Sequence, residues 1–411
     1  MRRVSLIVAL NLLAVAFYAL VALRMGFFSH MSATLFSSPD SHSYRDVADW
    51  LVGGAPNPFQ SRHRPFLYPL LLGVADGIGG AVGVWALNAL LWFGVLNATA
   101  LATWRLTGRL VLAAIVFLIV ATNVSLIVLS FQALTELTTA FLEAAWILGL
   151  AISSIPPNRP REIVLVLLPL SLLTVVKPGY QILLLGGLVL LAATIWRMRR
   201  GRLGPIIAVA ACCLPIAFQV ALMATANHFI GLSSTGAYEI KDYYVSQVYA
   251  IANGLPSDLT AARVQVDGMS NAQVADFLLA HPGLAAHTLV SNLHQNLVSG
   301  SNFIDVATNP TLAAAVQLTN RAYLVLHLIF LPIVAFAVWR SRDVRLVLLY
   351  VFTVVVIILP TVIVTQGDRY SVMALPLWAT AYALALARLR PSFPVPFQST
   401  RRYQAPEQTA G

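Results

Sequence analysis

Charge is scarce in this 411-residue sequence: only 10% of residues are Asp, Glu, Lys or Arg, against about 25% in an ordinary soluble domain. Hydrophobic residues make up 58% and mean hydropathy is +0.78, which excludes a soluble globular domain. Cysteine is nearly absent. The two present, Cys212 and Cys213, are adjacent within an apolar run, so they form neither a disulfide framework nor a metal site. Their expected role is packing. Also missing are an internal repeat, a soluble Rossmann-like segment, an Asp-x-Asp motif and a Walker loop. Chemistry on a nucleotide sugar therefore lacks its usual parts. The glycines Gly77, Gly79 and Gly80 suit close helix packing better than a phosphate cradle.

What is present is a series of apolar runs, many approaching the roughly 20 residues that cross a bilayer. The pattern predicts an all-α polytopic membrane protein. Spans are expected at 4–23, 84–104, 110–129, 137–155, 163–176, 180–196, 204–226, 321–340, 346–365 and 371–389. That is about ten, with both termini on the cytoplasmic side. Residues 66–82 read as a helix lying on the outer surface or partly re-entering. Residues 130–136 and 366–370 read as outer turns. Residues 1–390 form one transmembrane domain with outer loops at 24–83 and 227–320, the second carrying helices that rest on the outer leaflet. Residues 391–411 read as a disordered cytoplasmic tail. The segments assigned to the cytoplasm hold 17 of the 26 basic residues, the asymmetry of the positive-inside rule. The formal charge of +10 is thus a topology signal, and no nucleic-acid partner is implied.

The chemistry concentrates in residues 37–69. An acidic, turn-rich segment around Asp40 and Tyr44 leads into a short amphipathic helix. Arg62, His63 and Arg64 follow, set against an apolar run. Asp40 after Pro39 also reads as a helix N-cap, and the arginines as interfacial anchors. Glu136 stands at or near membrane depth, where an ionisable residue marks a functional site by default. Lys177 is a lone cation between two apolar runs, and Arg369 repeats that pattern, though a structural pair with the adjacent Asp368 is the alternative reading. Carboxylates and cations on separate turns of one membrane face suit a reaction on a lipid-linked sugar. Fixed cations stabilise the departing phosphate, and a carboxylate takes the proton of the attacking hydroxyl.

These residues sit in PDSHSY (39–44), RPFLYPLLLG (64–73), LTEL (134–137), VKPGY (176–180), AHPG at His281 and Pro282, and GDRYSVMALP (367–376). In that order they resemble the GT-C superfamily of polyprenyl-phosphate-sugar-dependent membrane glycosyltransferases. The likeness is to the bacterial branch related to aminoarabinose transferases and protein O-mannosyltransferases. The resemblance implies an inverting enzyme of a bacterial inner membrane, working on the periplasmic face. Its donor would be a polyprenyl-phosphate sugar among membrane lipids, and its acceptor a glycolipid, glycan or protein. Asp40 would be the catalytic base with Glu136 supporting it. Arg64, Lys177 and Arg369, with His63 and Tyr44, would lie at the donor phosphate. No cofactor is called for, and a divalent metal, though compatible with this chemistry, is not indicated. Two differences from the resembled pattern are Ser41, where many relatives have a second acid, and Lys177, where many have arginine. The rival reading is a polytopic transporter or lipid flippase, for which intramembrane charges are equally expected.

Overall fold

The computed structural model describes residues 2–58, 64–198, 201–234, 236, 239–255, 259–363 and 365–389. Among them the regular structure is helical, with no β-strand. The chain runs through α1 (Arg2–Arg24), α2 (Met31–Leu35), α3 (Pro39–Gly53), α4 (Leu67–Thr107), α5 (Leu110–Ala121), α6 (Val124–Leu129), α7 (Glu136–Ile152), α8 (Pro160–Val176) and α9 (Gln181–Arg197). It continues through α10 (Leu203–Asn227), α11 (Ser246–Ala252), α12 (Thr260–Asp267), α13 (Asn271–Ala280), α14 (Pro282–Val298), α15 (Pro310–Ser341), α16 (Val344–Ile363), α17 (Arg369–Met373) and α18 (Leu375–Leu389). The proposed tail at 391–411, and Arg62 and His63, lie outside the described residues.

Among the described residues, five helices are long and apolar enough to cross a membrane: α1, α4, α9 with the turn before it, α10 and α15. Shorter apolar helices are α5, α18 and the first sixteen residues of α16. Leu90, Val189, Leu214 and Leu328 are exposed on these long helices. Large apolar side chains exposed on helices long enough to cross a membrane suit contact with lipid. The chain is a helical protein built for a membrane. The inner packing is set by α7, which lies against α4 and α8 and buries Leu137, Trp146 and Ile147.

Three helices depart from the sequence reading in their boundaries or continuity. Residues 67–107 form one assigned helix where a surface helix and a separate span were expected, but it is broken at Gly80 (φ 56°, ψ −142°). A Cβ placed on Gly83 would stand 2.1 Å from the Ala75 carbonyl oxygen. Residues eight apart in a straight helix are separated by about 12 Å, so the chain folds sharply at Gly80 into two rods. Only glycine adopts that backbone readily. Residues 110–129, expected as one span, are interrupted at Thr122 and Asn123. The Asn123 side chain accepts a hydrogen bond from the Leu126 amide at 2.7 Å and so starts a new helix. The third departure is α15, which begins at Pro310 rather than near Arg321.

The turn at 130–135, expected at the outer surface, is buried throughout. Burial is possible because its backbone groups are satisfied. Asn88 Nδ2 donates to the carbonyls of Ser130 (3.2 Å) and Gln132 (2.8 Å), and the Ala133 amide donates to Leu35 O at 2.8 Å. Residues 240–298 form a separate helical layer with its own small core of Tyr244, Val245, Val248, Val266 and Val274. Cys212 is buried and Cys213 half-buried, and both are free thiols, which agrees with packing.

Candidate functional site

The sequence around Asp40 builds a one-sided helix. Ser38 is the N-cap of α3, its hydroxyl accepting from the Asp40 amide at 3.3 Å. Pro39 occupies the first turn, where its missing N–H is not needed. Asp40 itself is therefore not the cap, which removes the capping explanation for its carboxylate. Residues three and four apart share a helix face, so Ser43 and Tyr44 lie beside Asp40. Arg64 fills that face. Its Nη2 donates to Asp40 Oδ1 at 2.6 Å, its Nε to Ser43 Oγ at 2.7 Å and its Nη1 to Tyr44 OH at 3.2 Å. The guanidinium carbon lies 4.5 Å from the Tyr44 ring centroid. Arg64 is thus a bound side chain rather than an interfacial anchor.

Arg369 approaches the same carboxylate from the other end of the chain. Gly367 has φ +62°, and a Cβ there would meet the Gly300 carbonyl oxygen at 2.5 Å, so this turn requires glycine. Asp368 accepts from the hydroxyl of Ser125 and from Asn320 Nδ2. It anchors the turn to α6 and α15 instead of pairing with Arg369. Arg369 is left free to bridge two acids. Its Nη1 donates to Asp40 Oδ2 at 2.8 Å and to Gln366 Oε1 at 2.9 Å, and its Nε to Glu136 Oε1 at 2.6 Å.

Glu136 opens α7, with its carboxylate at the helix end whose dipole favours an anion. Its side chain is fully buried. Lys177 follows the last turn of α8, where Pro178 ends the helix. Its Nζ donates to Glu136 Oε1 at 3.3 Å and lies 4.7 Å from the Tyr370 ring centroid. Burying a carboxylate costs several kcal/mol unless cations and hydrogen bonds compensate, and here two cations converge on one oxygen. The other oxygen, Oε2, has no hydrogen-bond partner among the described residues, nor does the buried hydroxyl of Tyr68.

Asp40, Tyr44, Arg64, Glu136, Lys177 and Arg369 are thus brought together. His63, placed with them by the sequence, lies outside the described residues. Three cations face two carboxylates, leaving a net positive charge of about one in a half-buried setting. Burial works to raise the pKa of Asp40, but the Arg369 and Arg64 guanidiniums outweigh it and hold the carboxyl at about 2. Burial draws Lys177 below the usual lysine value, against the pull of Glu136.

One further acid was not legible in the sequence. Glu239 precedes the wide helical turn Ile240–Val245. Burial raises it above the usual carboxylate range, while Lys177 and Arg64 pull it down. It therefore lies within the field of the cluster, though no salt bridge to it forms among the described residues. Nothing in its local sequence separates it from the other polar residues of a long loop. Comparison of the chain with protein-family models, with curated proteins and with solved structures finds no match.

Proposed function

We propose that the chain is an inverting membrane glycosyltransferase of GT-C type, moving a sugar from a polyprenyl-phosphate carrier to an acceptor hydroxyl. The observation that carries this reading is one carboxylate, Asp40, held between two guanidiniums at 2.6 and 2.8 Å, in a helical protein with apolar outer faces. Asp40 keeps 29% of its side-chain surface exposed, so a substrate can reach it. Glu136, fully buried, supports Arg369 rather than meeting substrate.

In this reading a lipid phosphate enters beside Arg64, Arg369 and Lys177 and competes with Asp40 for the guanidiniums, as charge-assisted bonds to phosphate and to carboxylate are alike in geometry. Asp40 is ionised but weakly basic while both arginines hold it. Turning them toward phosphate makes it a stronger base where the acceptor arrives. The acceptor oxygen then bonds to the anomeric carbon and the carbon–phosphate-oxygen bond breaks on the opposite face. Polyprenyl phosphate departs with the electron pair, and Asp40 takes the acceptor proton.

A ten-span arrangement in a bacterial inner membrane, with the cluster on the periplasmic side, belongs to the same proposal. Shorter α5, α7, α8, α16 and α18 would join the five long helices. The 17 residues of α7 and of α8 cover about 25 Å, a little under the hydrocarbon thickness of about 30 Å.

The test is incubation of purified protein with a panel of labelled polyprenyl-phosphate sugars. Release or transfer of sugar, abolished by Asp40→Asn, is expected. Folded protein that turns over no member of the panel would overturn the proposal.

A further inference from the structure

The helical layer at 240–298 contains a second feature, separate from the ionic cluster. A cleft of about 320 Å³ opens between α11 and α14, within the range of about 300–1,000 Å³ typical of small-molecule sites. Its polar lining is Gln247, His287, Thr288, Ser291, Gln295 and Thr365, and the rest is aliphatic or amide. No carboxylate, ammonium or guanidinium lines it among the described residues.

Thr288 is the telling residue. It is 3% exposed, and its hydroxyl has no hydrogen-bond partner among the described residues. A helical threonine commonly returns its hydroxyl to the carbonyl four residues back, as Thr319 does to Ala315 at 2.8 Å. Thr288 does not. A buried hydroxyl without a partner is costly, and in a cleft wall it is a position for a ligand's hydroxyl. Two side-chain bonds along the wall are long: Gln295 Nε2 to Ser291 Oγ at 3.3 Å, and Gln247 Nε2 to Thr365 Oγ1 at 3.5 Å. At such lengths they are weak and readily exchanged for bonds to a ligand.

The cleft is tied to the cluster by a short strap. Thr365 stands at its rim. Next to it, the Gln366 amide donates to Asn296 Oδ1 on α14 at 2.8 Å. Gln366 Oε1 accepts from Arg369 Nη1, the same nitrogen that reaches Asp40. Four residues of extended chain cover at most about 14 Å, so Thr365 at the cleft and Arg369 at the cluster lie within that distance of each other along the backbone.

We infer that this cleft holds the acceptor of the proposed transferase and that the acceptor is a neutral carbohydrate chain, an inference that rests on the transferase reading. Amides and hydroxyls both donate and accept, which matches ring hydroxyls that do the same. An anionic headgroup would be gripped by arginines, and the described lining offers none.

The test uses the full chain in detergent, with cellobiose, maltose and N-acetylchitobiose as probes. Saturation-transfer NMR should show contact with at least one disaccharide in the wild type and in Asp40→Asn. The signal should fall at least fivefold in Gln247→Leu and in Ser291→Leu, with exposed Gln295→Ala as a milder variant. In the transfer assay the same variants should raise acceptor KM roughly tenfold, the effect of one or two lost hydrogen bonds, with donor KM unchanged. Donor turnover with acceptor KM unaltered in all three variants would overturn the cleft assignment and leave the transferase. Disaccharide contact that depends on Gln247 and Ser291, without turnover of any lipid-linked sugar, would support the cleft and overturn the transferase. Contact with a neutral serine-containing peptide in place of the sugars would overturn the carbohydrate class.

Discussion

Replacing Asp40 with Asn tests the site most directly, because the substitution keeps the shape and removes the charge. The carboxyl is held at about 2 in place of 3.8. That difference of about 1.8 units corresponds to about 2 kcal/mol of stability at neutral pH. The contribution is fully present above pH 3.8 and is lost as pH falls through about 2. Thermal unfolding of the two proteins in detergent should therefore differ by about 2 kcal/mol at pH 6, and the gap should close between about pH 4 and pH 2. Asn cannot accept the acceptor proton, so turnover should fall on the order of a hundredfold or more. Donor affinity should hold or rise, since the phosphate no longer competes with a carboxylate for Arg64 and Arg369. Near-normal transfer by folded Asp40→Asn would sink the assignment of the base. A collapse of donor affinity with turnover intact would show that Asp40 holds the donor instead.

If the donor phosphate draws the guanidiniums away, Asp40 is less acidic in the complex, and the acid limb of kcat should lie at higher pH than that of kcat/KM; coincident limbs would refute the competition. Arg369→Lys keeps the charge but cannot reach Glu136, Asp40 and Gln366 at once, so donor KM should rise roughly ten- to hundredfold; an unchanged donor KM would remove Arg369 from the phosphate site. Gly367→Ala places a methyl against the Gly300 carbonyl at positive φ and should lower stability by about 1–3 kcal/mol, read by thermal unfolding in detergent. Cysteine at His294 should react with an impermeant thiol reagent applied from outside and cysteine at Arg202 should not; the reverse pattern would invert the topology.

The membrane class was written in composition alone, because burying so little charge in so much apolar surface leaves few alternatives. The five helices long and apolar enough to cross a membrane were legible as apolar runs too. Apolar run length sets them, and Pro178 and the cluster at 197–202 mark ends by local rules. The breaks were harder. The boundary expected after residue 82 fell close to the break at Gly80, but nothing local said that the two rods fold back sharply there, and Asn123 caps a helix inside an apolar stretch. Within the site, residues 39–44 read as a turn-rich segment, whereas the helix begins at Pro39 and so puts Ser43 and Tyr44 on the face of Asp40. Local rules also offered Asp40 as a cap and Asp368 as a partner of Arg369, and the structure bears out neither alternative. Ser38 takes the cap locally, but the partners that the two acids do take lie far away in sequence: Asp40 and Arg369 are 329 positions apart, and Asp368 turns to Ser125 and Asn320. Glu239 had no local signature at all. Sequence determines which side chains carry charge and which segments are helical, through short-range sterics and apolar periodicity. Which charges meet is decided by how the helices pack, since ion pairing at a few ångströms requires ends of the chain that no local pattern relates.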